Sequence, residues 1–193
     1  MSLRIVLAAV LLACVFPGQA QVSRSQEKSS VSADLWIGYA NVPNSFIDGN
    51  GSANGWTAGL DVKVAHGIGI AVDLSEYFAN YGYGGSSITT AYLVGPRYWL
   101  PVPRESRLRP FADVLGGGAT ANQSGVASTQ IFQNGTTGAW AADGGVDYGI
   151  RRRLAARFSA GYLHAGYTTE DNQVQRYFPA NHPRLMAGIA YAF

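Results

Sequence analysis

Alternation with a period of two, repeated eight times, constrains this chain more than any other feature. Over Trp56-Thr57-Ala58-Gly59-Leu60-Asp61-Val62-Lys63-Val64, the odd-ranked residues Trp56, Ala58, Leu60, Val62 and Val64 are apolar and their neighbours are polar or small. Successive side chains of a strand point to opposite faces, so such a run is a half-buried strand. The same reading applies to 34–40, 68–77, 88–100, 107–119, 137–148, 154–164 and 183–193. The 24 Gly fit strands and turns better than helices, since each weakens a helix interior by about 1 kcal/mol.

The connections alternate as well. Short turns are expected at 65–67, 101–106 and 149–153; longer links rich in Gly, Asn, Ser and Thr fall at 41–54, 79–87, 120–136 and 166–182. Strands of about ten residues with short turns at one end and long loops at the other are the layout of a transmembrane barrel. The expected fold is all-β: an eight-stranded antiparallel up-and-down transmembrane β-barrel over 33–193, after a polar lead-in at 21–32.

Residues 1–20 read as a secretory signal peptide: Arg4, an apolar run from Ile5 to Phe16, then Gly18 and Ala20 as the small pair before cleavage. The single Cys, Cys14, lies inside that segment, so no disulfide or thiolate metal site is expected in the mature chain. Leu11-Leu12-Ala13-Cys14 has the form of a lipoprotein box, but the apolar Val15 and Phe16 continue the run as in an ordinary signal.

The two faces differ in charge. By parity one face carries Asp34, Asp61, Asp73, Asp113, Asp143 and Asp147 with Lys63, Arg97, Arg109, Arg157 and Arg184. The other face is almost free of charge. A barrel that holds apolar ligands in water has the reverse arrangement, so here the charged face is the inside. An eight-stranded barrel is just wide enough for side chains to fill it, and buried ions need partners. An internal network of ion pairs is therefore expected, closing the lumen.

Aromatic residues lean toward strand ends: Trp36, Tyr39, Trp56, Tyr77, Phe78, Tyr98, Trp99, Tyr148, Tyr162, Tyr167, Tyr191 and Phe193. Trp and Tyr favour the membrane–water boundary, so these twelve are expected to form girdles.

The C-terminal sequence Met186-Ala187-Gly188-Ile189-Ala190-Tyr191-Ala192-Phe193 resembles the assembly signal of Gram-negative outer-membrane barrels, with Gly188, Tyr191 and Phe193 as its key residues. With Gly95-Pro96-Arg97-Tyr98, Arg109-Pro110-Phe111-Ala112 and Gly144-Gly145-Val146-Asp147, the chain resembles the small OmpA/OmpX-like β-barrel family over essentially all of 33–193. The resemblance implies a bacterial outer-membrane location, contact with membrane lipid and lipopolysaccharide, insertion by the barrel assembly machinery, and a monomer. One departure is Gly161-Tyr162, where relatives often carry Asp before the Tyr, so their charge pairing does not transfer.

Other chemistry finds little support. Lipid-modifying barrels carry His-x-Ser on a strand, but the matching stretch here is His164-Ala165-Gly166, without the nucleophile. His164 is then an interfacial hydrogen-bonding residue, with Glu170 and Asp171 as loop charges, while His66 falls in a turn and His182 just before the last strand. Asp48-Gly49-Asn50-Gly51 lacks the spaced acids of a calcium loop. Arg151-Arg152-Arg153 is a solvated turn, and Gly116-Gly117-Gly118 a flexible or close-packed strand stretch without the Lys-Ser/Thr of a phosphate loop. A net charge of +2 gives no reason for a nucleic-acid partner. No cofactor or metal is expected. The reading is a non-enzymatic outer-membrane barrel with outward loops for envelope integrity or adhesion to a partner the sequence does not specify. A narrow ion or small-solute channel and a lipid-modifying enzyme are the alternatives.

Overall fold

A computed structural model describes residues 32–43, 52–80, 86–103, 105–124, 135–171 and 174–193, with the backbone alone for 65, 123–124, 135, 166–171 and 174–180. Eight strands run in chain order: β1 (Ser32–Val42), β2 (Ala53–Ala65), β3 (Ile68–Asn80), β4 (Ser86–Trp99), β5 (Leu108–Ser124), β6 (Gly135–Arg151), β7 (Leu154–Asp171) and β8 (Val174–Ala192). Each pairs antiparallel with its neighbours, and β1 pairs with β8 to close the barrel. The expected all-β, eight-stranded, up-and-down barrel is the fold observed. The signal segment, most of the lead-in and the Asp48–Gly51 stretch lie outside the described residues.

An even number of antiparallel strands brings the start of β1 and the end of β8 to the same end as the short turns. At this turn end the β2–β3 link is His66-Gly67, both at positive φ (49° and 81°), the arrangement of a two-residue type I′ hairpin. The ladder bulges beside two turns, between Lys63 and Ala65 and between Gly149 and Arg151. Phe193 N–H donates to the Ala33 carbonyl at 2.9 Å, extending the β1–β8 seam to the last residue.

Alternation orders the wall. Ile37, Ile70, Val94, Val114, Phe158, Leu185 and Ile189 point outward and are more than half exposed, although apolar. A contiguous apolar belt of this size on a closed barrel is the surface of a membrane-spanning protein. Tyr98, Tyr148 and Tyr191 flank the belt at the turn end, and Tyr39, Trp56, Tyr92, Trp140 and Tyr162 flank it toward the loop end.

Two sequence expectations change. The second half of the barrel is taller than the alternation suggested: β5 to β8 have 17, 17, 18 and 19 residues, against 11 to 14 in β1 to β4. The expected loop at 166–182 is almost all strand, paired from Gly166↔Pro179 to Asp171↔Val174. Glu170, Asp171 and His182 are therefore strand residues. Beyond the membrane both faces of a hairpin meet water, so no alternation is required there, and backbone pairing continues without it. Second, Trp36, Tyr77 and Trp99 are not girdle residues. They are buried in the lumen, 3%, 1% and 6% exposed. Parity, which is geometric, overrides the aromatic preference for interfaces.

Candidate functional site

The lumen is built by inward positions of all eight strands, and register decides what meets there. Asp34 stands opposite Asp61, and Asp113 opposite Asp143. Like charges in directly opposed positions repel, so each pair needs cations between or beside it. Arg97 supplies one, bonding Asp61 Oδ2 through Nη1 at 2.5 Å and Asp113 Oδ2 through Nε at 2.7 Å. Arg157 supplies a second. Its Nη1 reaches the same Asp61 oxygen at 2.6 Å, while Nε and Nη2 grip Asp147 in a two-bond fork at 2.7 and 3.0 Å. Arg109 extends the chain at the turn end, with Nη2 at 3.3 Å from Asp34 and 3.5 Å from Asp147. Seven side chains thus form one connected run: Asp34, Arg109, Asp147, Arg157, Asp61, Arg97 and Asp113.

A second cluster sits one layer farther in. Arg184 forks onto both oxygens of Asp143 and lies 3.6 Å from Asp73. Ser75 Oγ donates to Asp73 Oδ1 at 2.5 Å, and Thr57 Oγ1 donates to Oδ2 at 3.4 Å. Gly161 explains how Arg184 and Asp143 meet. It stands between them in register, and a Cβ there would fall 2.0 Å from Asp143 Oδ1 and 2.3 Å from the Ala142 carbonyl oxygen. The missing side chain on β7 is the opening through which the fork forms.

Of the eleven charged positions assigned to the inner face, ten join these two clusters. Lys63 makes no ion pair among the described residues; its ammonium lies 5.6 Å from the centre of the Trp99 ring. Arg109 is also set apart, with a side chain 44% exposed at the turn-end mouth, whereas Arg97, Arg157 and Arg184 are at most 5% exposed. Burying guanidinium groups on this scale needs more than carboxylates. Phe111 lies between two of them, 4.3 Å from Arg97 and 4.9 Å from Arg157, and Trp36 faces Arg157 at 5.2 Å. These rings were not singled out as site residues from sequence. Their inward parity, shared with the charges, was the available signal.

Toward the loop end the lining changes. Ala40, Val42, Ala53, Leu93, Leu115, Ala141, Leu163 and Met186 form a buried apolar layer. His182 is buried among the inward positions of β8, opposite Leu163. On the outer face, His164 Nδ1 is 2.6 Å from Asn181 Oδ1, and its ring stacks on Trp140 at 5.5 Å. Of the C-terminal residues, Tyr191 and Phe193 point outward and meet edge to face at 5.3 Å. Gly188 packs against the β1 backbone, where a Cβ would lie 2.3 Å from the Ile37 carbonyl oxygen. Arg151 ends β6 and Arg152 and Arg153 form its turn, while Gly116, Gly117 and Gly118 lie within β5. Among the described residues no group of His, Cys, Asp and Glu is placed to hold a metal ion.

No protein-family profile and no curated protein matches the chain. Solved structures do. The outer membrane protein OprG from Pseudomonas aeruginosa superposes with a TM-score of 0.60 at 11% identity, over 86% of this chain and 97% of that one. The fold is that of the small outer-membrane β-barrels. Outer Membrane Protein W of E. coli gives a TM-score of 0.55 at 14% identity, over 86% of this chain and 100% of that one. Ail, the attachment invasion locus protein of Yersinia pestis, gives 0.52 at 14% identity, over 84% and 99%. At these identities the likeness speaks for architecture alone.

Proposed function

We propose that this chain is a non-enzymatic protein of the bacterial outer membrane, with a lumen closed by its own paired charges and loops that face outward for envelope integrity or adhesion. The observation that carries this reading is that each fully buried lumen arginine lies within ion-pair distance of two aspartates. Groups so occupied hold one another, leaving few free donors to coordinate a passing ion. With the short turns periplasmic, as in outer-membrane barrels generally, residues 43–52, 81–85 and 125–134 connect strands at the cell surface. The belt meets membrane lipid and lipopolysaccharide, and Gly188, Tyr191 and Phe193 serve as the signal read by the barrel assembly machinery, with the protein a monomer. A lipid-modifying activity gains no support: His164 is stacked and hydrogen-bonded, and opposite it across the ladder stand Trp140 and Asn181, neither a nucleophile.

The experiment exchanges the connections at 44–51 and 125–134 for short Gly-Ser turns in the full-length protein. Heat-dependent gel mobility in the membrane fraction verifies that the barrel still forms. The reading expects envelope resistance to detergent, or attachment of cells to surfaces, to fall toward that of a strain lacking the protein. Full activity of the loop-exchanged protein in both assays contradicts a role for the loops.

A further inference from the structure

The turn end of the barrel carries a feature the closed lumen does not explain. A cavity of about 540 Å³ opens there, and five arginines line it: Arg107, Arg109, Arg151, Arg152 and Arg153. Asp34 is the one acid in the lining, at the floor, already beside Arg109. Asp147, 3.5 Å from Arg109, and Glu105, exposed on the β4–β5 turn, are the other acids nearby. Hydrogen bonds hold the bowl in shape: Gly149 N–H donates to the Arg107 carbonyl at 2.8 Å, and Ala192 N–H to the Arg153 carbonyl at 2.8 Å. Three separate segments are thus tied around one opening.

Arg109 sets the bowl apart from a merely solvated turn. Among the described residues its Nη2 alone makes polar contacts, at 3.3 and 3.5 Å, long for charge-assisted bonds. Its other N–H groups make no ion pair among the described residues, and the side chain is 44% exposed. Five exposed arginines line one cavity, and a guanidinium is shaped for two-bond recognition of phosphate or carboxylate. The lining also indicates where such an anion comes from. Arg109, Asp34, Ala155 and Ala190 are inward positions, so the bowl lies on the lumen axis rather than on the lipid-facing wall.

We propose that this bowl is a binding site for a polyvalent oxyanion, a phosphate- or carboxylate-bearing molecule or polymer met from the aqueous side at the turn-end mouth. That this side is the periplasm rests on the orientation proposed above; the binding itself does not.

The test uses the full barrel in a nonionic detergent at low salt, with pyrophosphate and citrate as probes followed by calorimetry. Saturable one-to-one binding of either probe is expected, weakening as salt rises. An R151Q/R152Q/R153Q variant, its barrel verified by heat-dependent gel mobility, is expected to bind about tenfold more weakly or worse. An R107Q/R151Q variant gives a second reading should the triple variant fold poorly. Absence of saturable binding for both probes, or equal affinity in wild type and variants, overturns the proposal. So does a variant that loses only its association with phosphatidylglycerol vesicles while still binding the probes, because the arginines would then serve the lipid surface. None of these outcomes depends on the loop exchange, so failure here and failure of the loop reading are distinguishable.

Discussion

The two halves of the lumen solve the same packing problem with different chemistry. Toward the turn end, ten ionisable side chains fill the barrel in two clusters of ion pairs. Toward the loop end, inward positions hold mostly Ala, Leu, Val and Met, with the uncharged Tyr77, Ser87 and Thr89 and the imidazole of His182 among them. The apolar half is tolerant, because dispersion and burial are not directional. The charged half is exacting. Its desolvation is offset only if every partner is in place, so losing one member strands the others. The charged half therefore imposes one register on the strands, while the apolar half adds stability without specifying partners.

Breaking that contrast begins with its most connected member. Arg157→Ala leaves Asp61 and Asp147 buried without their shared cation, at an expected cost of about 3–5 kcal/mol. Urea unfolding in detergent measures it, and a loss below about 1 kcal/mol would deny the network its structural role. Ala40→Asp puts a carboxylate into the apolar half directly opposite Gly55 and Met186, neither of them a cation. A loss of about 2 kcal/mol or more is expected, and a neutral result would mean that half is wet. Gly161→Val closes the opening under the Arg184 fork and should cost about 1–3 kcal/mol. The same substitution at outward-facing Gly138, with open space around its Cβ position, serves as the control. Lys63→Gln removes only a ring contact, so less than about 1 kcal/mol should be lost; a larger effect would place Lys63 in the network after all.

Strand identity and facing were legible because a half-buried strand must alternate. Leu35, Ile37 and Tyr39 could face lipid only if Asp34, Trp36 and Gly38 faced inward. Strand ends were not legible at 166–182, where Gly166-Tyr167-Thr168-Thr169 reads as loop by composition yet is held by backbone pairing. Parity placed eleven charges on one face but not their depth. Depth separates half-exposed Arg109 from fully buried Arg157, and it depends on strand stagger, a property of the closed barrel. The apolar inner layer was present in the same alternation, at Ala40, Ala91, Leu93 and Leu115. Gly161 looked like a lost charge and is instead the gap that lets Asp143 and Arg184 join.

The central claim is that the charged half closes the lumen. Single-molecule current recording of the wild-type barrel in a planar bilayer tests it most directly. A closed network predicts a silent bilayer at moderate voltage after verified insertion. Steady, reproducible unitary steps from the wild-type protein would contradict it and make the barrel a channel.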